Sequence, residues 1–212
     1  GSVHGLGARA AGSGLVSREQ KTPSPRREKN LPVHESLEAL TSHWRRIGKR
    51  RGEVRYEFAE KYVYDDANSQ PYIVVGRFEA DGPEGRIKTF SQASRQGAGW
   101  SETISGTEPV PYRLPELIEA MVSGETIHVV EGEKNAEDVC RHGGVATCNI
   151  GGAGKRLEPY AEYFKPKTSS RFVVVADVGD TDSRGERHAE NWRDLLRNQG
   201  HMVEVVVATD GL

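Results

Sequence analysis

Residues 126–150 read Thr126-Ile-His-Val-Val130, then Glu131-Gly-Glu-Lys-Asn-Ala-Glu-Asp-Val-Cys-Arg-His142, then Gly143-Gly-Val145-Ala-Thr-Cys148-Asn-Ile150. Two short apolar, β-prone runs bracket a helical pattern from Lys134 to His142, and Gly143-Gly144 stops that helix. The same beat continues downstream. A glycine-rich loop, Asn149-Ile-Gly-Gly-Ala-Gly-Lys155, leads into a helix over 157–164. A third apolar run, Phe172-Val-Val-Val-Ala176, leads into a helix over 185–198 that Gly200 caps. A fourth run follows, Met202-Val-Glu-Val-Val-Val207. Strands alternating with helices predict βαβ units, right-handed crossovers and a four-stranded parallel sheet with helices flanking both faces.

Working outward, the rhythm before residue 113 is different. From about 53 to 105 it has period two: Val54, Tyr56 and Phe58 alternate with charged residues. Tyr62-Val-Tyr64, Tyr72-Ile-Val-Val75 and Ile87-Lys-Thr-Phe90 are further β-prone runs, separated by the turn-formers Asp65-Asp-Ala-Asn-Ser-Gln-Pro71 and Asp81-Gly-Pro-Glu-Gly85. This pattern predicts an antiparallel meander. A helix precedes it, with Leu37, Leu40, Trp44 and Ile47 on one face and Gly48 as its stop. Another helix follows from Pro111, with Pro115 in its first turn. Residues 1–32 are rich in Gly, Ser, Pro and charge and offer little to a core. The expected organisation is therefore a disordered lead or tag over 1–32, a helix plus antiparallel β subdomain over 33–112, and an α/β domain over 113–212.

Composition narrows the function classes. The 212 residues carry 29 Lys+Arg and 31 Asp+Glu, for a net charge of -2, and mean hydropathy is -0.64. No stretch approaches the apolar length of a membrane span, and Gly1–Gly14 lacks the order of a secretory signal. Two cysteines, Cys140 and Cys148, exclude a disulfide scaffold and point to a reducing, cytoplasmic setting. Residues 1–60 hold 12 Lys+Arg against 7 Asp+Glu, and the rest of the chain is net acidic. A basic arm on an acidic body suits a polyanionic partner for the arm and a cation for the body.

In an open parallel sheet, function collects at the carboxyl ends of the strands. Here the first strand runs into Glu131-Gly132-Glu133, and the third into Asp177-Val-Gly-Asp180-Thr-Asp182-Ser-Arg-Gly185. Clustered carboxylates repel one another until a hard cation neutralises them. Mg²⁺ takes oxygen ligands and needs only one or two carboxylates plus substrate phosphates.

These segments together resemble a Toprim domain, and most closely the primase and primase-helicase proteins of phages, plasmids and other mobile elements. The likeness rests on Val129-Val-Glu131-Gly-Glu-Lys-Asn-Ala136, the loop Asn149–Lys155, and the Asp177–Ala189 segment, and it covers about residues 113–208. Arg77-Phe-Glu79, Lys88-Thr-Phe90, Gly99-Trp100 and Pro111-Tyr-Arg-Leu-Pro-Glu-Leu117 resemble what precedes Toprim in such proteins. The family core is a glutamate after one strand and Asp-x-Asp after another. Here Val178 and Gly179 follow the strand-end aspartate, and Asp180-Thr-Asp182-Ser-Arg-Gly185 fits the spacing three residues late. Either Asp180 and Asp182 hold the metal, or Asp177 keeps the strand-end role with a later aspartate.

The resemblance implies a Toprim-like Rossmannoid sheet and Mg²⁺- or Mn²⁺-dependent nucleotidyl or phosphoryl transfer on nucleic acid. The first expectation is a DNA primase module making primers in mobile-element replication. Single-stranded DNA and nucleoside triphosphates would be its partners, with a replicative helicase nearby and no membrane. A Toprim nuclease and a degenerate DNA-binding or partner-docking module are the alternatives. Glu131 would be the catalytic acid or base, and Asp177, Asp180 and Asp182 the metal carboxylates. Lys134, at a helix start, and Lys155, ending the glycine loop, suit phosphates, and Arg184 suits a DNA backbone. The run containing Arg45, Arg46, Arg50 and Arg51 suits sequence-independent phosphate contact. The glycine loop is not a Walker A site, because residue 149 is Asn and Arg156 stands where Ser or Thr belongs.

Other residues have plainer expectations. Tyr160, Tyr163, Trp44, Trp100 and Trp192 are read as packing, Cys140 and Cys148 as buried thiols, and His188 as a helix-surface residue.

Overall fold

In the computed structural model, Ser36 starts the first helix. Its hydroxyl accepts from Ala39 N at 3.0 Å, capping α1 (Leu37–Ile47), and Gly48 ends it at φ 61°. The structure describes Gly1 and residues 32–165, 170–177 and 183–208. The expectation for the lead therefore falls largely outside the described residues, as do Asp180 and Asp182. From residue 32 onward the described residues form one compact unit containing two sheets.

The first sheet is antiparallel. It comprises β1 (Val33–His34), β2 (Lys49–Arg51), β3 (Val54–Asp65), β4 (Pro71–Gly82), β5 (Gly85–Gln96) and β6 (Gly99–Ser101), in the order β1-β6-β5-β4-β3-β2. The second sheet is the four-stranded parallel one: β7 (Thr126–Val129), β8 (Val145–Thr147), β9 (Arg171–Asp177) and β10 (Met202–Ala208), in the order β10-β9-β7-β8. Its helices are α2 (Leu114–Ser123), α3 (Glu133–Arg141) and α4 (Arg184–Asn198).

One β-bulge joins the two halves. The β3–β4 register shifts between Phe58 and Glu60. An extra residue in a strand sends every later side chain to the opposite face. Tyr56 and Phe58 therefore pack with Leu40, Trp44, Val74 and Phe78 under α1. Tyr62 and Tyr64 turn the other way, with Ile73 and Val75, into the core shared with the parallel sheet. That second core holds Leu114, Ile127, Phe164, Phe172, Val174 and Trp192. Gly76 is needed on the α1 side, because a Cβ there would lie 2.7 Å from the Trp44 ring.

Four sequence expectations require correction. Ile47, in the last turn of α1, is 48% exposed, so the buried face stops at Trp44. Residues Glu158–Phe164 form a 3₁₀ helix. The segment begins with Pro159 in its first turn, and its tight winding suits a short connector. Helical cover is incomplete at the edge strand β10: α4 packs against it, yet Met202, Val205 and Val207 are exposed. His188 is buried at 5% exposure, because it lies one turn before Trp192 on the inward face of α4. Among the thiols, Cys148 is buried and Cys140 half-buried. Trp44, Trp100, Trp192 and Tyr160 are all in the core. No helix among the described residues is long and apolar enough to cross a membrane.

Candidate functional site

The parallel pairing of β7 with β9, in register at Val129 and Val174, sets their carboxyl ends side by side. Glu131 leaves the end of β7, and Asp177 is the last residue of β9. Both line one cleft of about 580 Å³. Their neighbours hold them closely. A Cβ on Gly185, at the start of α4, would come 2.2 Å from the Asp177 carbonyl oxygen, so only glycine lets α4 seat directly on the end of β9. A Cβ on Gly152 would lie 3.3 Å from the Glu131 carbonyl and 3.9 Å from its Oε1. The glycine loop thus lies against Glu131 with bare backbone, and Gly152 holds φ at +62°.

Asn149 shapes that loop. It is fully buried; its Nδ2 donates to the Gly152 carbonyl at 2.9 Å, and its Oδ1 accepts from Trp192 Nε1 at 3.3 Å. One side chain therefore ties the loop to α4, and the loop and α4 are the two elements that flank the carboxylates.

Glu133 is the acidic residue that sequence reasoning left without a role. It opens α3, is only 8% exposed, and accepts a 2.8 Å hydrogen bond from the Tyr64 hydroxyl of β3. A carboxylate in the first turn also meets the positive end of the helix. Burial, with Cys148 and Glu133 beside it, pushes the Tyr64 phenol well above its ordinary range, so it stays a donor. Burial and Glu133 likewise push the Cys148 thiol up, which marks it as structural rather than reactive.

The opposite wall of the cleft comes from the antiparallel sheet. The face that is apolar at Ile73 and Val75 becomes polar farther along, where Arg77, Lys88, Phe90 and Gln92 line the cleft. Arg77 is paired with Glu79 at 2.6 Å. Lys88, Phe90, Gln92 and Gly151 also line a second hollow of about 590 Å³, together with Lys49, Arg51 and Lys155. The two hollows share Lys88, Phe90, Gln92 and Gly151 and so adjoin as one trough. Glu131, Glu133 and Asp177 line one end with Arg77, Lys134 and Arg184, and the other end is mainly cationic, with Glu102 in its lining. Burial, with Arg51 beside it, lowers the Lys49 ammonium below the ordinary lysine range, and its Nζ donates to the Phe90 carbonyl.

The structure thus brings Glu131, Asp177, Lys134 and Arg184 together around the cleft, and Lys155 and Arg51 around its extension. Lys134 is also paired with Asp138 at 2.7 Å. The rest of the basic run is not gathered there. Arg45 stacks over the Phe58 ring at 5.4 Å, Arg46 lies by His43, and Arg50 faces Arg55 across the β2–β3 pair. In the sequence, Arg77 and Lys88 stand out only through the resemblance. Their place at the site depends on the sheet-to-sheet packing, which no local pattern encodes.

Comparison with known proteins finds no matching family model, no matching curated protein and no matching solved structure.

Proposed function

We propose that the chain is a Mg²⁺-dependent nucleotidyl- or phosphoryl-transfer module acting on nucleic acid, and that primer synthesis on single-stranded DNA is its reaction. The observation that carries this reading is the convergence of Glu131 and Asp177 from adjacent parallel strands in a cleft that continues into a lysine- and arginine-lined trough. The donor set fits the ion: carboxylate oxygens, with no sulfur or imidazole lining the cleft among the described residues. Asp177 is the described residue that would hold it. When bound, Mg²⁺ neutralises charge on phosphate oxygens.

In this reading the chain's own residues perform separate tasks. Glu131 accepts the proton of an attacking hydroxyl or positions that group, as a carboxylate within reach of the reacting oxygen can. Lys134 and Arg184 offset phosphate charge at the starts of α3 and α4, where backbone N–H groups also favour anions. Lys88, Lys155 and Arg51 hold a strand's phosphates along the trough, and Phe90, 37% exposed, offers a ring for base stacking. The Toprim resemblance supports the same assignment.

The test is direct. The protein is incubated with single-stranded template, nucleoside triphosphates and Mg²⁺ or Mn²⁺. Short oligonucleotides should form, and Glu131→Gln and Asp177→Asn should each abolish them without changing the circular dichroism. DNA cleavage without added nucleotides would replace primer synthesis by nuclease action. Salt-sensitive binding with neither activity would leave a binding module.

A further inference from the structure

We infer that the amino-terminal side of the antiparallel sheet carries a second cation site, for a late first-row divalent ion such as Zn²⁺, built from His34, His43 and Glu102. The three residues come from three separate elements. His34 is the second residue of β1, His43 is in α1, and Glu102 follows β6. One donor atom from each lies within 4.8 Å of the others. The Nε2 atoms of His34 and His43 approach the same carboxylate oxygen, Oε1 of Glu102, at 2.8 and 3.6 Å. The two rings are 4.9 Å apart between centroids.

The chemistry selects the ion. Two imidazoles and one carboxylate form a borderline nitrogen–oxygen set, which suits Zn²⁺ and its neighbours and not Mg²⁺. Without an ion, one oxygen serves one imidazole well and leaves the other beyond hydrogen-bond range. Bonds of about 2.0–2.2 Å to a tetrahedral centre set the ligand atoms roughly 3.3 Å apart, so the three side chains need to shift only by small amounts. The outer partner is already present: Trp44 Nε1 donates to the other carboxylate oxygen of Glu102 at 3.3 Å and so fixes its orientation. The three side chains are 12%, 26% and 21% exposed, which leaves a water the fourth position. Two cations oppose the ion. Lys49 acts on Glu102 from the trough side. Arg46 Nη2 sits 3.3 Å from His43 Nδ1. An ion on Nε2 requires a proton on Nδ1, so the exposed Arg46 must turn away.

The site ties the two-residue strand β1 and helix α1 to the end of β6. Its role is to fasten the amino-terminal segment to the sheet; its donor chemistry differs from that of the Glu131–Asp177 edge, and Glu102 lines only the far end of the trough. The test uses the full chain, stripped with EDTA and titrated with Zn²⁺ against a chromophoric chelator, and with Co²⁺ by visible absorption. One equivalent should bind with a submicromolar Kd, and Co²⁺ should give the intense bands of a four-coordinate site. His34→Gln, His43→Gln and Glu102→Gln should each weaken binding at least about tenfold. Arg46→Ala should bind at least as tightly as the parent chain. Absence of a stoichiometric site, or full affinity retained in the folded His43→Gln protein, overturns the inference.

Discussion

Tyr64→Phe isolates one hydrogen bond at the junction of the two sheets. The Tyr64 side chain is fully buried, and its hydroxyl donates to Glu133 Oε1 at 2.8 Å. Phenylalanine keeps the ring contact with Tyr112, 4.9 Å between centroids, and opens almost no cavity. What disappears is the donor facing a carboxylate that is itself buried. Hydrogen bonds to charged groups contribute about 1.5–3 kcal/mol, and an acceptor left buried without its donor costs a similar amount. A loss of about 2 kcal/mol is therefore expected. With a urea m-value of roughly 2 kcal/mol per M, the unfolding midpoint should fall by about 1 M. Equilibrium denaturation followed by tryptophan fluorescence measures this. A double-mutant cycle with Glu133→Gln should give a coupling near 1 kcal/mol or more. A midpoint within 0.2 M of the parent, roughly the resolution of such fits, would show that Tyr64 and Glu133 do not depend on each other.

Three further outcomes are expected. Gly185→Ala drives a methyl group against the Asp177 carbonyl and should cost about 3 kcal/mol, the upper part of the overpacking range, measured by thermal unfolding; a neutral result would mean that α4 is not seated on β9. Burial holds the His188 imidazole at a pKa of about 4, against an ordinary value near 6.5. The unfolded chain therefore takes up a proton that the folded chain refuses as pH falls from 6.5 towards 4, and stability should decline by about 3 kcal/mol at most across that window. His188→Leu should flatten the decline, and an unchanged slope in pH-dependent denaturation would contradict it. Lys88→Ala combined with Lys155→Ala should weaken single-stranded DNA binding for all sequences and reduce the slope of log K against log[salt] by about 0.7 per lysine; an unchanged slope would take the strand off the trough.

The sequence made the parallel half legible because each strand there is a short apolar run followed at once by helix punctuation, as in Val129–Ala136 and Ala176–Gly185. It also made the strand-end carboxylates legible, since a run such as Phe172–Ala176 fixes where a following acid must emerge. The bulge after Phe58 was not visible, because Tyr56, Phe58, Tyr62 and Tyr64 all fall on even numbers and read as one face. Glu133 has no local signal, because its partner Tyr64 lies 69 positions away. The grouping of His34, His43 and Glu102 is hidden for the same reason: it exists only once β6 has paired with β1. The burial of His188 did have a signal, since His188, Trp192 and Leu196 recur at four-residue spacing along α4.

Because β3 gives its first half to one hydrophobic cluster and its second half to the other, the described residues of the two-sheet unit have no seam along which they can be divided. A cut near residue 112 would strip cover from Tyr62 and Tyr64 as surely as from Leu114. Neither fragment should hold its shape alone, and the intact protein should melt in a single cooperative step.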